Sequence, residues 1–285
     1  MEHLNEHLLL LRCAQHMSSK LDHWDDRGLR RFWTSEAARA GALAECLLSA
    51  PDAAWHATIA QHRAHRHPWY DHLAQEVSLE EFASYLLEDW PAPALLPLYQ
   101  RALQVQICIE GRAAMLHKIA NERTPVPRDQ SMRRFIAAVR ARVGECVPLE
   151  SFTSLIHRIL VFYYGYYCNP WNLVGSLYAT EIMAYHRMAQ IDAGLVRLGF
   201  DSNELEFIRL YLVRDGEPAK DWSEAVLGPS MRINPALRVF VAEGIAACLE
   251  TAARYLDDLY IRQIQRAQRR CTALGAQLNR AQDWL

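Results

Sequence analysis

From Trp171 to Phe200 the chain runs apolar at three- and four-residue steps without a proline, and a carboxylate, Glu181, stands in the middle of it. A run of that length and period folds as an α-helix that buries most of its circumference, because only a helix carries its own backbone hydrogen bonds through such surroundings. With Leu177, Ile182, Met183 and Ala184 around it, the Glu181 carboxylate is costly to bury unless it is protonated, hydrogen-bonded or metal-bound. The link 201–206 separates this helix from Phe207–Trp222, a second helix-like segment in which Asp215 follows Tyr211 by one turn.

The rest of the chain repeats the helical period. Apolar positions recur at helical spacing in residues 1–24 and 29–48, the latter stopped by Ser49-Ala50-Pro51-Asp52. Ser78 with Glu81 forms a capping box before Phe82, Tyr85, Leu86 and Trp90. Further helices are expected at Leu95–Ile119, at 131–142 with a basic face (Arg133, Arg134, Arg140, Arg142), at Phe152–Cys168, from Ala236 to about Asp258, and in the tail from Tyr260 to Leu285. Asn169-Pro170 and Asn234-Pro235 open helices, and Gly228-Pro229-Ser230 is read as a stop. No alternating run long enough for a strand occurs, so the fold class is all-α. The expected organisation is an N-terminal helical extension over 1–54, a bundle over 55–260 and a C-terminal helix over 261–285.

With 285 residues the chain can bury a sizeable core. Its 31 basic and 33 acidic residues leave no global field for nucleic acid or an anionic membrane, so neither is expected as a partner. Seven scattered cysteines without a CxxC pair, and acids where a leader peptide wants Lys or Arg, suit reduced thiols and a cytoplasmic location. Within 62–67 three histidines interleave with Arg63 and Arg66. Imidazoles so close invite a metal reading, but a solvated basic helix end before the His67-Pro68 break is the simpler one. The four tyrosines around Gly165 (Tyr163, Tyr164, Tyr166, Tyr167) fit either a core or subunit contact or the wall of an aromatic ligand cavity.

Glu181 in mid-helix, the loop, and Asp215 on the following segment resemble the haem-oxygenase-like di-iron oxidases and oxygenases, a superfamily that includes the metal-free pyrroloquinoline-quinone synthase. In that family the second helix bears a His, an Asp four residues on, and another His three residues later; here the places read Tyr211, Asp215 and Pro218. The helix end Ala120-Asn121-Glu122 resembles the family's first ligand segment, whose His would fall in 129–132, where none stands. Two expectations follow from the resemblance. The bundle is haem-oxygenase-like with about seven core helices. The chain is an oxidative enzyme of small-molecule biosynthesis, with non-haem iron on Glu122, Glu181 and Asp215, or with no cofactor and with Glu181, Asp215 and Tyr211 as acid–base groups. Among other histidines on relevant helices (His117, His157, His186), His186 lies about 140° round the helix from Glu181, so the two do not share a face. The competing expectation is a non-catalytic relative that binds a ligand or joins an active paralogue. A homodimer or hetero-oligomer through helices, with Tyr163–Tyr167 and the C-terminal helix at the contact, fits either. Asp215 also suits a helix-capping role, since Asp-Gly-Glu-Pro is strong turn punctuation.

Overall fold

The computed structural model describes residues 26–89, 128–144, 169–214 and 222–282, and among them there are nine α-helices and no strand. In chain order these are α1 (Asp26–Ser49), α2 (Trp55–Gln61), α3 (Pro68–Gln75), α4 (Leu79–Asp89), α5 (Arg128–Val143), α6 (Pro170–Arg197), α7 (Glu206–Arg214), α8 (Gly228–Ile233) and α9 (Leu237–Gln282). A π-helical turn, Trp222–Leu227, precedes α8.

Local chemistry sets most of these boundaries. Asn169 accepts a hydrogen bond from the Trp171 backbone N–H, and Pro170 occupies the first turn, where its missing N–H costs nothing. At the other end of α6, Gly199 adopts φ +84°, and the Gly199 and Phe200 N–H groups donate to Val196 and Leu195 carbonyls, closing the helix in a left-handed cap that a side chain would strain. The Ser78–Glu81 box forms reciprocally, with N–H to oxygen distances of 3.0 and 3.3 Å. Gly228-Pro229 begins a helix instead of stopping one: Pro229 sits in the first turn of α8, a position proline tolerates as readily as the one beyond a helix end. The segments expected as separate helices around Asp258–Tyr260 are one helix of 46 residues, since no Gly or Pro stands at the junction and Asp258 pairs with Arg262 one turn on.

Helices α6 and α9 form the axis. Asn172 donates to the Phe240 carbonyl, Ser176 to the Gly244 carbonyl, and Thr180 meets Cys248, so one register of 68 residues holds over two turns and the helices run parallel. Two glycines permit this approach. A Cβ on Gly175 would press on the Val241 backbone, and one on Gly244 would press on that of Asn172. Helix α1 packs along α9 in the opposite sense, because Arg238 in the first turn of α9 donates to the carbonyls of Leu47, Leu48 and Ala50 at the end of α1. The same guanidinium pairs with Asp52 and lies over the Trp55 ring, which satisfies carbonyls the helix end leaves open.

Two apolar clusters stack along this axis. The first joins α1, α2, the π-turn and the N-terminal halves of α6 and α9, up to Met183 and Ala253. The second joins α3, α4, α5, α7 and the later parts of α6 and α9, from Met188 and Tyr255 onward. Trp55, Trp69 and Trp222 are fully buried within them, each contributing about 3 kcal/mol of burial free energy. Arg197 ties the end of α3 to α6 by donating to the Ala74 and Val77 carbonyls.

Candidate functional site

Where the clusters meet, the axis turns polar. Between Met183 and Met188 the chain places Tyr185, His186 and Arg187 on α6, and between Ala253 and Tyr255 it places Arg254 on α9. Glu181 lies one turn earlier, 6% exposed, among the buried Leu177, Tyr178, Ile182, Met183 and Ala184. It interacts with its surroundings and is not an isolated charge. Burial has clear consequences nearby. It pushes the Tyr178 phenol up to about 12 and the Cys248 thiol up to about 11, the latter opposed by the Thr180 contact and the Arg187 charge. Neither is an anion at neutral pH, so Cys248 packs as a small apolar group.

The other expected site residues fall elsewhere. Glu122 and Asp215 lie outside the described residues, as do His117, His157 and Tyr163–Tyr167. Tyr211 is placed on α7, with its side chain outside what is described. Of the three carboxylates expected around iron, the described residues therefore hold Glu181 alone, and no group of three or more His, Cys, Asp or Glu able to hold a metal occurs among them.

The histidine-rich turn is not a solvated helix end. His62 and His67 repeat one arrangement: Nδ1 accepts the backbone N–H two residues on, from Ala64 at 3.2 Å and Trp69 at 3.1 Å. That bond leaves the proton on Nε2, which is turned to Glu250 (3.4 Å) in one case and Asp257 (3.1 Å) in the other. The two carboxylates stand seven residues apart on α9, two turns along one face. Arg63 also pairs with Asp257, and with His67 it holds that carboxyl below the usual range although burial works the other way. His67 is 4% exposed and caps α3, while Tyr260 packs edge-on against it and against His72.

His65 turns the other way, towards α6. Its ring lies 5.5 Å from that of His186, which in turn is met edge-on by Tyr70 at 5.8 Å. Burial, then His186, Arg66 and His56, lower the His65 pKa to about 4, and its buried Nδ1 has no hydrogen-bond partner among the described residues. His186 is also held below its usual value, chiefly by burial, with Asp71 opposing. A divalent ion between these two rings would meet the Arg66 charge and lack a third ligand among the described residues. This His65–His186 contact escaped sequence reasoning because its members are far apart in the chain; the one local clue was Arg and His alternating directly before a His-Pro helix start.

No protein-family model matches the chain, and no curated protein matches it either. Among the described residues no helix is long and apolar enough to cross a membrane.

Proposed function

We propose that this chain is an oxidative enzyme of small-molecule biosynthesis with a haem-oxygenase-like bundle, whose reaction centre is built around Glu181. Support comes from one observation: a carboxylate is kept 6% exposed on an apolar helix at the edge of the polar zone between two cores, a placement that costs free energy and is typical of a working group. Iron, when bound, supplies dioxygen activation, and Glu181 would hold it together with Glu122 and Asp215. In the metal-free form Glu181 and Asp215 exchange protons with the substrate, and Tyr211 donates one.

Anaerobic loading with ferrous iron, followed by metal analysis of wild type and Glu181→Ala, tests the assignment. Iron retained by the wild type and lost in the variant supports the iron form. If neither binds iron, oxygen uptake with candidate reduced substrates decides for the metal-free form, and uptake equal in wild type and Glu181→Ala removes Glu181 from the reaction. A non-catalytic partner subunit is the second reading, favoured by α9: it continues to Gln282 with Ile261 54% exposed, past Leu259, the last buried residue described on it. Absence of both iron and oxygen uptake, together with association through 261–285 in sedimentation, would establish it.

A further inference from the structure

The turn 62–67 and helix α3 are held on two sides, by carboxylates towards α9 and by an imidazole towards α6. Towards α9, Nδ1 of His62 and of His67 accepts a backbone N–H while Nε2 faces Glu250 or Asp257, and burial holds the His62 pKa below its usual value with Glu250 opposing. Towards α6, His65 faces His186 with a buried and unpartnered Nδ1; a proton there adds a donor without an acceptor, and a second proton on His186 sets cation against cation.

We propose that this segment is an acid-released flap, whose seat on α6 gives way as His65 and His186 take up protons. The inference is independent of the reaction assigned to Glu181. The charged groups around the seat are of both signs. On α2 there is His56; on the turn, Arg63 and Arg66; on α6, His186 with Arg187 beside it; on α9, Glu250, Arg254 and Asp257; on α3, Asp71. Glu250 and Asp257 are engaged by His62, His67 and Arg63, and Asp71 acts on His186. The charges acting on His65 are therefore His186, Arg66 and His56, each of which opposes its protonation.

The sign follows from linkage. A base whose folded value lies near 4, against 6.5 unfolded, withholds a proton in the folded state, so closure is fully favoured above about pH 6.5 and weakens as pH falls towards 4. Asp257 has a depressed folded value, so its contribution is present above its ordinary 3.8 and is lost only below it. Between those limits the His65 seat loosens, and the His62 contact with Glu250, also lowered by burial, changes in the same direction. Between pH 7 and pH 5, full linkage permits roughly a twentyfold rise in opening; His65 is partly exposed and solvent screening reduces this to about tenfold.

Hydrogen–deuterium exchange of the full chain, corrected for the intrinsic pH dependence of amide exchange, reads the flap directly. Expected is an approximately tenfold rise in opening of residues 65–75 from pH 7 to pH 5, with the N-terminal half of α9 unchanged, and a rise below twofold in His65→Asn. A wild-type rise confined to global unfolding, or one of the same size in His65→Asn, overturns the proposal. Should that variant not fold, the His65 Cε1–H signal of the wild type decides: titration below pH 5 supports the flap, and titration at pH 6 or above overturns it.

Discussion

Gly244→Ala tests the α6–α9 axis on which Glu181 depends. In an ordinary helix interior the substitution gains about 1 kcal/mol of helix propensity. Here the added methyl would lie 2.7 Å from the Asn172 carbonyl carbon and nearer still to its oxygen, and a helix backbone cannot yield as a side-chain tip does. Restoring ordinary contact means moving the helices apart by about 1 Å, which forfeits a quarter to a half of the dispersion energy of each atom pair across the crossing. It also stretches the 2.8 Å Asn172–Phe240 and 3.0 Å Ser176–Gly244 hydrogen bonds. Overpacking of this kind costs roughly 1–3 kcal/mol, more where backbone is the obstacle, and each strained bond about 1 kcal/mol. After the propensity gain, a net loss of about 2–4 kcal/mol remains. With an unfolding entropy of about 2.1 cal/mol/K per residue, a chain of this size should then melt roughly 3–6 °C lower. Calorimetry of Gly244→Ala beside Gly41→Ala provides the contrast, because a Cβ at Gly41, inside α1, meets nothing within 4 Å and should raise the midpoint slightly. If Gly244→Ala also raises it, the close parallel crossing is wrong.

Arg238→Ala removes donors from three carbonyls at and just past the end of α1, a salt bridge to Asp52 and a stacking cation over Trp55; a loss of about 2–3 kcal/mol in chemical denaturation is expected, and Arg238→Lys should recover less than half of it because an ammonium cannot fork. Ser78→Ala should cost about 1 kcal/mol by opening the capping box, while an unchanged denaturation midpoint would show that the box contributes nothing. Glu181→Gln keeps volume and hydrogen-bonding capacity, so its melting temperature should stay within a few degrees of wild type while iron retention or oxygen uptake is lost. A collapse of stability instead would make Glu181 a structural group.

Helix existence was legible wherever a cap and a period coincided. Ser78–Glu81 and Asn169-Pro170 mark their helices because each motif satisfies open backbone N–H groups within one turn. Phe135 and Val139 are buried and Arg133 and Arg140 exposed on α5, as the amphipathic pattern of 131–142 requires. Gly228-Pro229-Ser230 misled because the pair serves a helix start as well as an end, and the chain supplies no local feature that separates the two. Neither the 68-residue register nor the pairing of the 62–67 turn with Glu250 and Asp257 can be read locally, since each depends on which helices become neighbours. Glu181 was legible from its surroundings alone, as a carboxylate that its helix would carry inside.

The two cores and the polar zone between them constrain one another. Gly175 and Gly244 draw α6 and α9 together along the first core, where Ser176 and Thr180 still find partners on α9 and every large neighbour is apolar. The next two turns carry Glu181, His186 and Arg187 on α6 and Glu250 and Arg254 on α9, the register setting His186 opposite Arg254, and there continuous apolar packing stops. An uninterrupted core would be cheaper to fold, because each ionisable group at this level must be desolvated or must hold apart atoms that could otherwise touch. Replacement of the groups at this level by leucine should therefore separate stability from activity: a structural seam loses stability on substitution, whereas a working site gains stability and loses its chemistry.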